Sequence, residues 1–264
     1  MKKVIICLFT ILIAFACKKD NEEQYVQAAN DHTLAQTQSL GVISQIHQIF
    51  YVYEQTQTYA PDTFIKITST PGFLSDSFPK TVEINFGSSS NSGLDGKNRN
   101  GKIQLVFENS QYLLGNHSYT LINYSVNETN ILGSVEVTQG LQGIKYTMEE
   151  GVRVVNPNGT ILWKGDFTLK PNNSDYNTDI SNASFEFISN NTGQDRTGKS
   201  FTSSVSQSQV QTINMSCSSF ILSGSATVKP LNLNSQTINY GSGTCSSSAT
   251  ISFQDGSTKG ISLN

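Results

Sequence analysis

The chain has 264 residues, of which 14% are charged, and a formal net charge of -3. With no basic stripe anywhere, no nucleic-acid partner is expected. Twenty glycines and 14 phenylalanines, set among abundant Ser, Thr, Asn and Gln, read as strand-and-turn material rather than helix.

The first residues are MKKVIICLFTILIAFAC. Two lysines, an apolar run from Val4 to Ala16 and small residues before a cysteine make a secretory signal, too short to persist as a spanning helix. Residues 1–16 are therefore expected to be a lipoprotein signal peptide, with Cys17 the lipidated residue. Ala14-Phe15-Ala16 is a loose version of the cleavage motif, and ordinary secretion is the alternative. Several acyl chains on one residue anchor stably where a single chain would not. Residues 17–24 carry KKDNEEQ, a charged tether resembling the export signals of lipoproteins displayed on the outer membrane of Bacteroidota.

Residues 25–60 form the single helical region. Leu40, Ile43, His47, Phe50 and Glu54 step by three or four, and Ile46 and Tyr53 widen the apolar stripe. Asn30 or Asp31 would cap its start, and Pro61 would stop it. His47 reads as a structural histidine beside the stripe. This amphipathic helix is expected to lie on a sheet face or across an open end.

Residues 61–264 switch to a period of two. Val82, Ile84 and Phe86 alternate with polar residues, as do Ile103, Leu105 and Phe107, then Ile144, Tyr146 and Met148, and so on to Ile251 and Phe253. Alternation of this kind marks antiparallel strands solvated on one face. About ten to twelve strands are expected, in a sandwich, an open barrel or a long meander. The fold class is mainly β with one N-terminal helix.

Within this region "GQDRTGKS", Gly193 to Ser200, matches the phosphate-loop pattern at every fixed position. A phosphate loop needs a buried parallel strand before it and a helix after it. The sequel FTSSVSQSQVQTI has no helical stripe, and "GKNRNGKI" from Gly96 repeats the spacing before an obvious strand. Two copies of R-x-G-K, at Arg99 and Arg196, read as equivalent hairpin turns, with Gly at positive φ and Lys opening the strand on its solvent face. No nucleotide is expected, and the repeated turn leaves two related halves open.

Once the signal is removed and Cys17 acylated, Cys217 and Cys245 remain. An even pair in an oxidising compartment defaults to a disulfide. The stretch FILSGSATVKPLNLNSQTINYG, with a turn near Pro230 to Asn234, would fold the two toward one another. A pair of free buried thiols is the alternative, and a metal site lacks nearby His ligands.

The blocks LDGKNRNGKIQLVFEN, NGTILWKG, TGQDRTGKSF, MSCSSFILSGSATV and INYGSGTCSSSATISF resemble a family of uncharacterised Bacteroidota surface lipoproteins. The resemblance runs over roughly residues 80 to 264 and rests on the D-G-x-x-R-x-G-K-I turn and the YGSGTC motif. It implies an all-β surface lipoprotein of the outer membrane and no known activity. Ser90 stands where the family carries a cysteine.

No catalytic, cofactor or metal site is legible. His32, His47 and His117 have no ligand spacing, and no G-x-S-x-G stretch occurs. Glu149 and Glu150 would point to opposite faces of a strand unless a bulge intervenes. Asp95 and Asp195 read as turn-formers rather than calcium ligands. Two functions stay open. One is a non-catalytic surface module that binds a glycan or protein or forms part of the envelope. The other is an extracellular polysaccharide hydrolase whose carboxylates converge only in the fold. A deep cleft holding two acids would favour the second.

Overall fold

The computed structural model describes residues 25–56, 65–92, 95–109, 115–172, 183–217 and 219–263. The signal segment, Cys17, the tether and Pro61 lie outside them. One helix, α1 (Gln27–Thr56), is followed by fourteen antiparallel strand segments in one sheet. They are β1 (Lys66–Thr70), β2 (Lys80–Ser92), β3 (Asn98–Phe107), β4 (His117–Val126), β5 (Thr129–Gly140), β6 (Gly143–Asn156) and β7 (Gly159–Pro171). Then come β8 (Ser184–Gln194), β9 (Ser200–Val205), β10 (Gln211–Asn214), β11 (Ile221–Pro230), β12 (Gln236–Ser242), β13 (Ser248–Ser252) and β14 (Thr258–Ser262).

Of the three architectures the alternation allowed, this is the meander: sequence neighbours pair in order from β1 to β8 and from β10 to β14. The position of β9 fits the same order. It runs along β8 from Gln194 to Ser189, and β10 continues along β8 from Phe187 to Ser184. Both also pair with β11. They are one strand interrupted by residues 206–210, which is why more segments occur than the alternation counted. Neither β1 nor β14 has a second strand neighbour among the described residues, so the sheet is open there.

The sheet does not lie flat under the helix. Every pair from β2·β3 to β6·β7 carries a register shift. Such bulges bend the strand and increase its twist, which curls the sheet. Gly101 marks one of them: its φ is +79°, and a Cβ there would lie 2.1 Å from the Asn123 carbonyl oxygen. The curled sheet contacts α1 from widely separated strands. Phe50 meets Phe107 of β3 at 5.7 Å, His32 meets Trp163 of β7 at 6.0 Å, and Thr33 bonds Tyr240 of β12 at 3.0 Å.

The apolar stripe of α1 is present and buried, with Leu40, Ile43, Ile46 and Phe50 each no more than 2% exposed. The polar face is buried too: Asp31, His32, Gln36, Ser39 and Gln45 are all inside. The helix is therefore an enclosed axis rather than an amphipathic lid. It also starts earlier than expected. Asn30 and Asp31 lie within its first turns rather than at its cap, and Asp31 serves a tertiary bond instead. On the sheet's inner face Tyr146, Phe167 and Phe187 stack at 4.8 and 5.3 Å, and Trp163 joins Phe167 at 5.7 Å.

Candidate functional site

The phosphate-loop lookalike is the β8–β9 turn, residues 195–199. Each backbone amide in it is already bonded. Arg196 N donates to Asp31 Oδ2 at 2.7 Å, Thr197 N to Asp195 Oδ1 at 2.9 Å, Gly198 N to the Asp195 carbonyl at 2.8 Å and Lys199 N to Asp195 Oδ1 at 3.0 Å. The Asp195 carboxylate occupies the nest where a phosphate would sit. Tyr25 Oη donates to its other oxygen. Burial, then this bond, pushes the Tyr25 hydroxyl up to about 12, so it stays a donor. Lys199 does not simply face solvent: its ammonium lies 3.7 Å from the centre of the Tyr25 ring. Arg196 closes on Asp31 with Nε at 2.8 Å and a second nitrogen closer still.

The other R-x-G-K copy is not equivalent. There the turn is Asp95-Gly96-Lys97, and Arg99, Gly101 and Lys102 lie inside β3. Arg99 is 2% exposed and grips Asp95 with Nη1 at 2.6 Å and Nη2 at 2.8 Å, while Nε reaches Tyr124 Oη at 3.1 Å. Burial pushes the Asp95 carboxyl up, but the Arg99 bonds and charge outweigh it and hold it below its ordinary value. In both turns the aspartate is a turn-former, and the shared tetrapeptide falls on different positions because only the Asp-to-i+2 bond is common.

The histidines are interior groups. Burial lowers His32 to about 4 and His117 to about 4; burial, then the nearness of His117, lowers His47 to about 3. His117 stacks on Phe107 at 5.2 Å. Glu149 and Glu150 do sit on a bulge, between Met148 and Val152, and both are exposed. No group of three metal-ligating side chains occurs among the described residues.

Cys217 lies in the β10–β11 turn and Cys245 in the β12–β13 loop, brought together by the expected hairpin, whose turn is 231–235. They are free thiols here, one buried and one exposed, with side chains in hydrogen-bonding reach of one another. That bond raises Cys245 to about 11. Burial pushes Cys217 up, but bonds from Cys245 and Ser219 outweigh it and lower the thiol.

Between α1 and the inner sheet face runs a polar seam. Both His32 ring nitrogens, Ser39 Oγ, Trp163 Nε1, the Asn191 amide and Ser203 Oγ have no hydrogen-bond partner among the described residues. Asn191 stands opposite Gly165 on one side and Ser203 on the other, so small residues let the helix approach this part of the wall.

A recess lies on the opposite, outer face. A cleft of about 800 Å³ opens over β7, β8, β9 and the end of β11. Its size falls within the usual range for small-ligand sites. Register defines its floor. Lys164 of β7 stands beside Thr192 of β8, Thr192 beside Thr202 of β9, and Thr202 beside Lys229 of β11. The next row runs from Leu162 through Gln194 to Ser200. The 231–235 turn forms a wall with Leu231 and Leu233, held by Leu231 N to Ser200 O at 2.8 Å and Leu233 N to Pro230 O at 3.1 Å. No carboxylate, imidazole or thiol lines it among the described residues.

No motif or spacing in the sequence marks these residues as a site. One signal was present. The outward positions of β7 are Thr160, Leu162, Lys164, Asp166, Thr168 and Lys170, and Leu162 breaks their polarity.

The fold thus defines an all-β protein whose single sheet encloses one helix, with a recess in its outer wall. No family model, characterised protein or solved structure matches the chain.

Proposed function

We propose that this protein is a surface-anchored lipoprotein of the outer membrane that binds a ligand without transforming it. The sequence supports the anchor through the signal segment, Cys17 and the charged tether. The single observation that carries the binding reading is the outer-wall cleft, which offers ammonium and hydroxyl donors beside apolar side chains and, among the described residues, no carboxylate, imidazole or thiol. Such a lining suits recognition more than hydrolysis. The same reading joins Cys217 to Cys245 as a disulfide in an oxidising compartment.

Labelled palmitate should enter the native chain and not the Cys17→Ser variant, and protease added to intact cells should reach the native protein. Failure of both would remove the surface-anchor reading. Incubating the purified lipoprotein with a panel of nitrophenyl glycosides and esters should release no chromophore. Glu149 and Glu150, together on an exposed bulge, are what a hydrolase reading would use. Chromophore release abolished by Glu149→Gln or Glu150→Gln would establish that reading instead.

A further inference from the structure

We propose that the outer-wall cleft takes an amphipathic anion, its acidic head held over the Lys164–Thr192–Thr202–Lys229 row and its apolar body laid against Leu162, Leu231 and Leu233. This rests on the binding reading above and names the ligand class.

Strand register supplies the head site. The four side chains come from four neighbouring strands and lie in one row across the sheet. At the usual strand spacing the Cα atoms of Lys164 and Lys229 are about 14 Å apart. Four-carbon stems let both ammoniums close on one anionic group centred over the two threonine hydroxyls. Charge favours such an occupant. Elsewhere on the strands Lys102 pairs with Glu83 at 2.9 Å, Lys145 with Asp166 at 3.3 Å and Lys170 with Glu186 at 3.0 Å, while Lys66, Arg153 and Lys259 form no ion pair among the described residues. Lys164 and Lys229 have no carboxylate partner among the described residues, and the cleft contains none. Two cations with no ion pair among the described residues, at the two ends of one row of hydroxyls, make a site that an anion completes.

The second row supplies the apolar half. Leu162 interrupts a polar face, and Leu231 is 58% exposed although its backbone is pinned to β9. A lone exposed leucine needs no explanation. Here Leu162, Leu231 and Leu233 line one recess of about 800 Å³, adjoining the cationic row. Among the lining residues the only aromatic ring is that of Phe201, itself buried at 3% exposure, so the cleft presents no stacking platform for a sugar.

The test uses the native lipoprotein in nanodiscs of neutral phosphatidylcholine, titrated with octyl phosphate, octanol and inorganic phosphate. Octyl phosphate should bind at least tenfold more tightly than either half alone. Lys164→Gln and Lys229→Gln should each weaken it several-fold, and Leu162→Thr should weaken octyl phosphate without changing the dependence on the headgroup. Far-UV circular dichroism and the melting temperature identify any variant that fails to fold; Lys229→Arg, which keeps the charge, should bind like the native chain. Equal binding of octyl phosphate by the folded double Lys→Gln variant, or of octanol by the native chain, overturns the proposal. Discs containing phosphatidylglycerol separate the sources. Suppressed octyl phosphate binding there assigns the site to a membrane headgroup, and unchanged binding assigns it to a free amphiphile; either supports the ligand class. Release of inorganic phosphate from octyl phosphate would instead overturn the non-catalytic reading and leave the ligand class standing.

Discussion

Asp195 is fully buried and accepts from two backbone amides of its own turn, the Thr197 hydroxyl and Tyr25. A turn built on an internal carboxylate differs from one built to receive a phosphate, and mutation separates them. Asp195→Ala should cost about 3 kcal/mol, because bonds to a charged acceptor are lost and the amides are left unpaired. Asp195→Asn keeps an acceptor and should cost less; urea denaturation of both measures the difference. Lys199→Ala should cost about 0.5–1 kcal/mol, the value of an ammonium over an aromatic ring at a partly exposed site. Gly198 has a φ of +83°, and a Cβ added there would meet nothing within 4 Å. Gly198→Val should therefore cost about 1–2 kcal/mol from backbone strain alone. Magnesium-dependent ATP binding that vanished in Lys199→Ala would contradict this account of the turn.

At the scale of the element, α1 carries a glycine in its interior. A Cβ at Gly41 would meet only the Phe220 ring, at 3.7 Å, which is ordinary contact. Gly41→Ala should therefore stabilise the protein by up to about 1 kcal/mol through helix propensity; a lower melting temperature would show that the Phe220 contact is tighter than the geometry implies. The β11–β12 hairpin brings Cys217 and Cys245 together from loops at its open end. If they are oxidised, closing a loop of this size stabilises by roughly 3.5 kcal/mol in the chain-entropy account. Thiol titration of the denatured, unreduced mature protein should find no free cysteine, and Cys245→Ser should lower the melting temperature by several degrees only under oxidising conditions. Two titratable thiols in the air-oxidised protein would end the disulfide assignment.

For the whole molecule the decisive fact is that one helix is shared by strands from β3 to β12. The buried side chains of α1 and of the sheet form one continuous core cluster. Unfolding should be a single transition, with the fluorescence of Trp163 and far-UV circular dichroism superimposing; separated midpoints would show two independent units. The enclosed helix also sets the acid response. His32, His47 and His117 are held neutral, with values near 4, 3 and 4, against about 6.5 in the unfolded chain. Below pH 6.5 the unfolded chain binds more protons, so stability is full above that pH and falls as pH drops toward 4. The loss approaches about 1.4 kcal/mol per pH unit for each histidine. His47→Gln should flatten the dependence of the urea midpoint between pH 6.5 and 4.5; an unchanged slope would place His47 in a solvated setting.

The sequence by itself determined the element types, because local periodicity encodes them: period 3.6 over Leu40 to Phe50, and period two through Val82, Ile103, Tyr146 and Ile251. It also determined the hairpin, with a turn near Pro230 to Asn234, that brings the two cysteines near each other, and the rejection of a phosphate loop, since a loop followed by strand material has no helix dipole to offer. Enclosure of the helix was not legible. His32, Gln36 and Ser39 look like a solvated face until bulges at Gly101 and its neighbours curl the sheet over them, and curvature is a sum of non-local register shifts. The tertiary structure alone decided that the two R-x-G-K copies differ, that Arg196 reaches Asp31 across the chain, and that Lys164 and Lys229 end one row. Those last positions are 65 residues of sequence apart by number, and only strand pairing makes them neighbours of the same two threonines.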